Sequence, residues 1–465
     1  MLNRNIALLF GCLFVLKLSA IYFTNFDLFG DEAQYWLWSK NLDIGYFSKP
    51  PLIAWFIGGY TKIFGDGFVS IKIIPSLVYF ITSISLFNLC KNIGLNRKHS
   101  LSCAVIFLFI PAVSFSSFIV STDIFLLLFW VMSLNELIKI KKNPEIKKFI
   151  ILGVLLGLAF LSKYAAIYFY ICLILYILLD HDTKNIFVKN YRGFLLSFFC
   201  TIIIILPNII WNFNNSWITL QHTSDNANFE NLEINLFRGF GFLGTQLLMV
   251  GPFLFVANLA NYKKIIFSEN QKFLLIFSLP IFLIVFIEAV IVRANANWAA
   301  PALVTFFVFL YINTINLSSF FIKINIFFNF CFCSIFFILI ALSYPASIFN
   351  RISGLNEYAQ EVFTKSKESN INNLVISDRL VYASISYELR DKKLVFLMPH
   401  KQGEKVTNHF KISSPLSQEF KDNFILIGEP SSISYLKSSF IVQKKILMNN
   451  YFKKDRTSVY EISFN

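Results

Sequence analysis

Two adjacent carboxylates, Asp31 and Glu32, open a stretch (31–55) that also holds Tyr35, Trp36, Trp38, Tyr46, Lys49, Pro50-Pro51 and Trp55. The stretch follows directly on the first apolar segment of a mostly apolar chain. Ionisable groups at the depth of a bilayer surface are costly to keep and point to chemistry on a lipid-borne substrate. A carboxylate there can serve as a general base, taking a proton from a hydroxyl as it attacks, or as a metal ligand. It can equally cap a helix, since acids favour the first turn and Asp31 stands ahead of an amphipathic stretch.

Asp123, in Ser121-Thr122-Asp123, is the second acid of interest, with a cap for the apolar stretch 124–139 as its alternative. Lys49 is the natural phosphate ligand, because Pro50-Pro51 fixes the chain direction beside it; a lysine that merely reaches up to the headgroups is the other reading. Lys163, in Leu-Ser-Lys-Tyr between two short apolar runs, needs an anionic partner, for which a lipid phosphate is one candidate. Arg293, followed by Asn295, Asn297 and Trp298, forms another polar turn, and arginine suits bidentate phosphate recognition. Arg238 is a weaker candidate. Tyr35, Tyr46, Asn297 and Trp298 are the expected pocket residues. The five His (99, 181, 222, 400 and 409) are scattered, and the seven Cys (12, 90, 103, 172, 200, 331 and 333) lie in or beside apolar runs without metal-ligand spacing. No metal site is expected from them, and Cys331-Phe-Cys333 is too close for an unstrained bridge.

The elements that must hold these residues are membrane helices. Of 465 residues 56% are hydrophobic, and mean hydropathy is +0.61; soluble domains sit near 45–50% apolar. Apolar runs of roughly membrane-spanning length recur through the first three quarters of the chain. Eleven spans are expected, at 5–23, 70–89, 100–119, 124–139, 149–162, 164–179, 193–211, 239–259, 273–292, 299–316 and 324–343. Residues 149–179 are long for one helix and short for two; two helices with Lys163 at the turn fit the charges better. With the N-terminus inside, cytoplasmic segments collect Arg4, Lys91, Arg97, Lys98, Lys139, Lys141, Lys142, Lys147, Lys148, Lys184, Lys189, Arg192, Lys263, Lys264, Lys272 and Lys323. The short external segments before the C-terminal domain hold Lys40, Lys49, Lys62, Lys163, Arg238 and Arg293. That asymmetry is the positive-inside pattern, and one span across 149–179 would invert it from there on. It accounts for much of the net charge of +14 without nucleic acid. The first segment reads as a retained anchor rather than a cleaved leader.

Loop 24–69 is expected outside, with two helices lying on the membrane, 31–41 and 52–64, whose rings suit the headgroup layer. The transmembrane domain is expected to run over 1–343. Beyond it, 344–465 reads as a small external (periplasmic) α/β domain, with strands at 373–377, 394–398, 423–428, 440–447 and 458–464 and helices at 380–390 and 431–438.

Asp31-Glu32-Ala33-x-Tyr35-Trp36 followed by Gly45-Tyr46-Phe47-Ser48-Lys49-Pro50-Pro51-Leu52-Ile53-Ala54-Trp55 resembles the first external loop of the bacterial glycosyltransferases related to protein O-mannosyltransferases, the superfamily that includes the lipid A aminoarabinose transferase. Ser121-Thr122-Asp123, Leu158-Ala159-Phe160-Leu161-Ser162-Lys163-Tyr164 and Ala294-Asn295-x-Asn297-Trp298-x-Ala300-Pro301-Ala302 match further stations in the same order, over about 5–310. The resemblance implies a GT-C fold: an all-α polytopic membrane bundle with external juxtamembrane helices. It implies a sugar donor on polyprenyl (undecaprenyl) phosphate and transfer on the external face of the bacterial inner membrane, to lipid A or another envelope glycan. Carried over by position, Asp31 is the catalytic acid with Glu32 beside it, Asp123 a second active-site acid, and Lys49 the donor-phosphate ligand, with Lys163 and Arg293 as helpers. The aminoarabinose branch often has Glu before Lys-Pro-Pro. Here it is Ser48, so neither that branch's sugar nor a metal site using that acid carries over. The sugar stays open between an amino sugar and a neutral hexose, and no cofactor or metal is required, though a divalent ion is compatible. Two other readings stand: a protein O-glycosyltransferase, and a flippase of lipid-linked sugars. The last predicts inverted repeats and deep polar residues, whereas the charges cluster at one face and no internal repeat is visible.

Overall fold

The computed structural model describes residues 4–227, 232–265, 267–317, 319–345, 347–445 and 458–464. The chain forms two compact units. The first comprises Met1–Ile21, Lys49–Ile53 and Lys72–Ile338; the second comprises Tyr22–Ser48, Ala54–Ile71 and Leu339–Asn465.

The first unit is helical, and each expected apolar segment lies on helix. Arg4–Phe23, Phe68–Asn92, Thr122–Lys142, Ile146–Ser162, Tyr191–Asn214, Ala300–Leu317 and Ser319–Ala341 are continuous. Others are interrupted. Residues 100–119 divide into Arg97–Phe107 and Pro111–Ser116, because Pro111 starts a helix but cannot continue one. Residues 239–259 divide into Leu236–Val250 and Pro252–Ala260, bent by 103° at Gly251. The break expected at Lys163 is present: Ile146–Ser162 ends, Lys163 is extended, and a tight turn leads into Ile167–Leu179. Among the described residues five helices are long and apolar enough to cross a membrane, or up to seven if each bent pair is one span. The chain is a mostly helical multi-pass membrane protein with a small C-terminal sheet.

Helices Ile146–Ser162 and Tyr191–Asn214 lie unusually close. A Cβ on Gly153 would run into the Ser197 carbonyl and come within 2.7 Å of Cys200 Cβ. Gly157, one turn on, abuts Ile204 Cβ at 2.7 Å in the same sense. Small residues four apart let two membrane helices approach backbone to backbone, and Thr201 Oγ1 donates to the Gly153 carbonyl at 3.0 Å across the contact. Ile146–Ser162 also packs on Thr122–Lys142. Helix Ala300–Leu317 buries Leu303, Val304, Phe307, Val308, Leu310 and Tyr311.

The second unit carries a six-stranded sheet: β1 (Asn373–Ile376), β2 (Val395–Pro399), β3 (Pro415–Leu416), β4 (Phe424–Ile427), β5 (Phe440–Lys445) and β6 (Val459–Phe464), in the order β3-β2-β1-β4-β6-β5. The pairs β1–β2, β1–β4 and β2–β3 are parallel; β4–β6 and β5–β6 are antiparallel. The five expected strands match β1, β2, β4, β5 and β6; residues 446 and 447 of the fourth lie outside the described residues. β3 and helix Leu355–Glu368 are additions, and the expected helix at 431–438 is only a short turn, Pro430–Ile433.

Both helices expected in loop 24–69 form, as Gly30–Lys40 and Leu52–Phe64. Gly30–Lys40 packs on helix Arg379–Glu388, and a Cβ on Gly30 would meet Leu380 Cβ at 2.8 Å. Asp27 ties the same segment down, its carboxylate accepting from the Leu355 N–H at 2.7 Å. Asp66 adds a third tie, paired with Lys40 Nζ at 2.6 Å and facing Arg390 Nε at 3.8 Å.

Candidate active site

In the first unit, three separated stretches meet on one carboxylate. Asp123 sits in the first turn of Thr122–Lys142 and is buried. Lys163 Nζ pairs with Asp123 Oδ1 at 2.6 Å, and Asn297 Nδ2 donates to Asp123 Oδ2 at 2.8 Å. Local structure explains each position. The helix start places an acid where exposed N–H dipoles favour it. Lys163 follows the end of helix Ile146–Ser162, which packs on Thr122–Lys142 and Tyr191–Asn214. Asn297 lies on the turn Ala296–Ala299, whose Ala296 carbonyl accepts from Gln246 Nε2 at 2.8 Å. With side chains 17% and 9% exposed, this is a partly buried pair whose break would strand a charge. The anionic partner that Lys163 requires is thus a carboxylate of the chain itself.

In the second unit, the acids Asp31 and Glu32 have separate surroundings. Glu32 is fully buried, and its Oε2 accepts from the Phe29 N–H at 2.8 Å. The cap role weighed for Asp31 therefore falls to Glu32, which sits one position further along the first turn and reaches back. Asp31 lies inside the helix with its side chain 57% exposed, facing Arg379 Nη1 at 3.5 Å. The same Nη1 donates to Gln34 Oε1 at 2.9 Å. Arg379 begins its own helix behind Asp378, whose Oδ1 accepts from the Leu380 and Val381 N–H groups.

The remaining expected residues are placed as follows. Lys49 is half-buried between buried Ser48 and Pro50. Arg293 is exposed just past helix Leu279–Ile291, and Trp298 is half-buried on the Asn297 turn. Tyr46 and Tyr35 lie inside the second unit. Tyr46 is fully buried, stacked on Trp38 at 4.5 Å, with its hydroxyl donating to the Trp38 carbonyl and accepting from the Asp43 N–H. Tyr35 is buried against Trp38 at 5.5 Å. The aromatic spacing signals packing of the loop on itself.

Three cations escape a reading based on loops. Lys17 and Lys72 lie within expected spans; Lys17 Nζ donates to Ser117 Oγ at 2.6 Å, and fully buried Lys72 donates to the Phe118 carbonyl at 3.2 Å. A lysine inside an apolar run is itself the signal for such contacts. Arg379 lies in the domain whose sequence carries no recognisable site motif. Among the described residues, no group of three or more His, Cys, Asp or Glu is arranged to hold a metal ion.

A helical membrane bundle that gathers acid, lysine and amide at helix ends, joined to a small sheet, has the architecture of the GT-C fold. Residues 48–211 match the family pattern described as dolichyl-phosphate-mannose-protein mannosyltransferase. The lipid A galacturonosyltransferase RgtD of Rhizobium johnstonii is 33% identical over 282 residues, which are 60% of this chain and 59% of that protein. This chain thus spans less than two thirds of that relative's length. Crystal structures of ArnT from Cupriavidus metallidurans share the fold at 12% identity and a TM-score of 0.64. The apo structure is covered over 98% of this chain and 97% of ArnT, and the one bound to undecaprenyl phosphate over 99% and 98%. The likeness to ArnT shows that the chain has the GT-C fold.

Proposed function

We propose that this protein is an inverting glycosyltransferase that moves a sugar from a polyprenyl-phosphate carrier to lipid A on the periplasmic face of the inner membrane. The acceptor hydroxyl oxygen bonds to the anomeric carbon while the bond from that carbon to the phosphate oxygen breaks. The hydroxyl proton passes to Asp31, and the electron pair leaves with the polyprenyl phosphate. Asp31 suits the base because its carboxylate is largely exposed, whereas both Asp123 oxygens already accept a donor. Asp123, held by Lys163 and Asn297, orients substrate. Lys49, aided by Arg293, neutralises the leaving phosphate, an electrostatic contribution typically among the largest in catalysis. Lys163 acts through Asp123 rather than on phosphate, and Glu32 acts by capping the helix that carries Asp31. Polyprenyl phosphate is a competent leaving group, so none of these steps calls for a nucleotide or a metal. Membrane lipids surround the bundle; the N-terminus lies in the cytoplasm and the sheet in the periplasm.

The observation that carries this reading is the meeting of three motif stations, from 121–123, 158–164 and 294–302, on the Asp123 carboxylate. The sugar named for RgtD adds a uronic acid to the amino sugar and neutral hexose as donors to compare. The family pattern favours one second reading, a protein hydroxyl as acceptor.

Reconstituted protein supplied with polyprenyl-phosphate sugars and either lipid A or a Ser/Thr peptide tests these together. Sugar-modified lipid A is expected, and Asp31→Asn should slow its formation on the order of 10²–10⁴-fold while donor is still retained. Modified peptide in place of lipid A would move the acceptor to protein. Donor crossing the bilayer without any transfer would indicate a flippase instead.

A further inference from the structure

We infer that Arg379 is a substrate-binding residue that takes an oxyanion beside Asp31. The helix Arg379–Glu388 would then supply a substrate contact. The inference deepens the transferase reading and depends on it for the choice of substrates.

Asp31 and Arg379 are each one residue from a close contact between their helices, where Gly30 leaves no room for a Cβ against Leu380. That contact, with the Asp378 cap, fixes both backbones. Gln34 then anchors one end of the guanidinium: Nη1 donates to Gln34 Oε1 at 2.9 Å and faces Asp31 Oδ1 at 3.5 Å. A guanidinium carries five N–H donors in a planar fork. The Nε and Nη2 donors of Arg379 take no partner among the described residues. The side chain is 36% exposed and Asp31 57%. An exposed ion pair at 3.5 Å contributes little to stability, so holding the folded state together does not account for an anchored guanidinium with an open edge. A fork of that shape fits a planar carboxylate or a phosphate bidentately. Two substrate groups in the proposed reaction have this chemistry: the carboxylate of a uronic-acid donor and a phosphate of lipid A.

The test is direct binding to the full chain in detergent, read by intrinsic tryptophan fluorescence. Two matched ligand pairs separate the sources: polyprenyl-phosphate hexuronate against polyprenyl-phosphate hexose, and bisphosphorylated against monophosphorylated lipid A. The wild type is expected to prefer the more anionic member of one pair by about 10–100-fold, as befits a hydrogen bond to a charged group. Arg379→Gln should erase that preference without weakening the other member, and Arg379→Lys should recover only part of it. The pair that responds names the source. The inference is overturned if Arg379→Gln weakens both members alike, if it leaves the preference intact, or if the wild type has no preference in either pair. A preference that responds to Arg379 in a protein that transfers no sugar would support this inference and contradict the transferase reading alone.

Discussion

Asp123 joins two distant stretches of the first unit to its own helix. Its two oxygens are divided between a lysine 40 positions later and an amide 174 positions later. Removing the lysine strands a buried carboxylate, a loss typically of about 3–5 kcal/mol. Lys163→Met is therefore expected to lower thermal stability in detergent by that order, and adding Asp123→Leu should restore much of it, since replacing both members by apolar groups removes the stranded charge. Two losses that simply add would show that the pair is not coupled. The need of Lys163 for an anion was legible, because a lysine between apolar runs cannot stand alone. The identity of that anion was not, because nothing in local spacing ties 123 to 163. The reverse holds at Asp31-Glu32, where the pair was legible and the division of labour depended on which side chain turned back to Phe29.

At the scale of elements, apolar run length located the helices, and charge parity located the break at Lys163, because both are one-dimensional properties. The kinks at Pro111 and Gly251 and the close helix pair were carried by single small or cyclic residues, whose effect depends on what lies opposite. Helix Leu355–Glu368 did carry a signal, with buried Leu355, Tyr358, Ala359, Val362 and Ser366 following the helical repeat. Gly153→Val tests the pair. It should force the helices apart and cost about 1–3 kcal/mol by overpacking, with loss of the proposed transfer activity if Lys163 moves off Asp123. Gly244→Ala, which faces open space on helix Leu236–Val250, is the control and should be neutral or stabilising. Equal effects from both substitutions would mean that helix propensity, not close approach, governs the site.

For the molecule as a whole, pH acts through the second unit. Burial pushes the Glu388 carboxyl up to about 7, with the charges of Asp27 and Glu357 adding and Arg390 opposing. Burial likewise lifts Asp27 to about 6, against its hydrogen bond from Leu355. A carboxyl raised in the folded state holds its proton more tightly there, so its favourable contribution is complete below the unfolded value and is lost as pH rises through the folded one. His409 works in the opposite sense: burial pushes it down to about 4, so stability falls as pH drops below its unfolded value near 6.5. Glu388→Gln isolates one group. Relative to wild type it should stabilise the protein by ~1–3 kcal/mol at pH 8, and the gain should vanish by about pH 4. Thermal unfolding across pH checks this, and a gain that persists in acid would assign the effect to packing instead.

The proposed transferase stands or falls on whether sugar reaches lipid A through Asp31. Mass spectrometry of lipid A from cells with the protein, without it, and with Asp31→Asn at matched membrane levels answers that directly. A species heavier by one sugar residue should appear only with the unaltered chain. The same heavier species in Asp31→Asn cells, or identical lipid A in all three, would contradict the account.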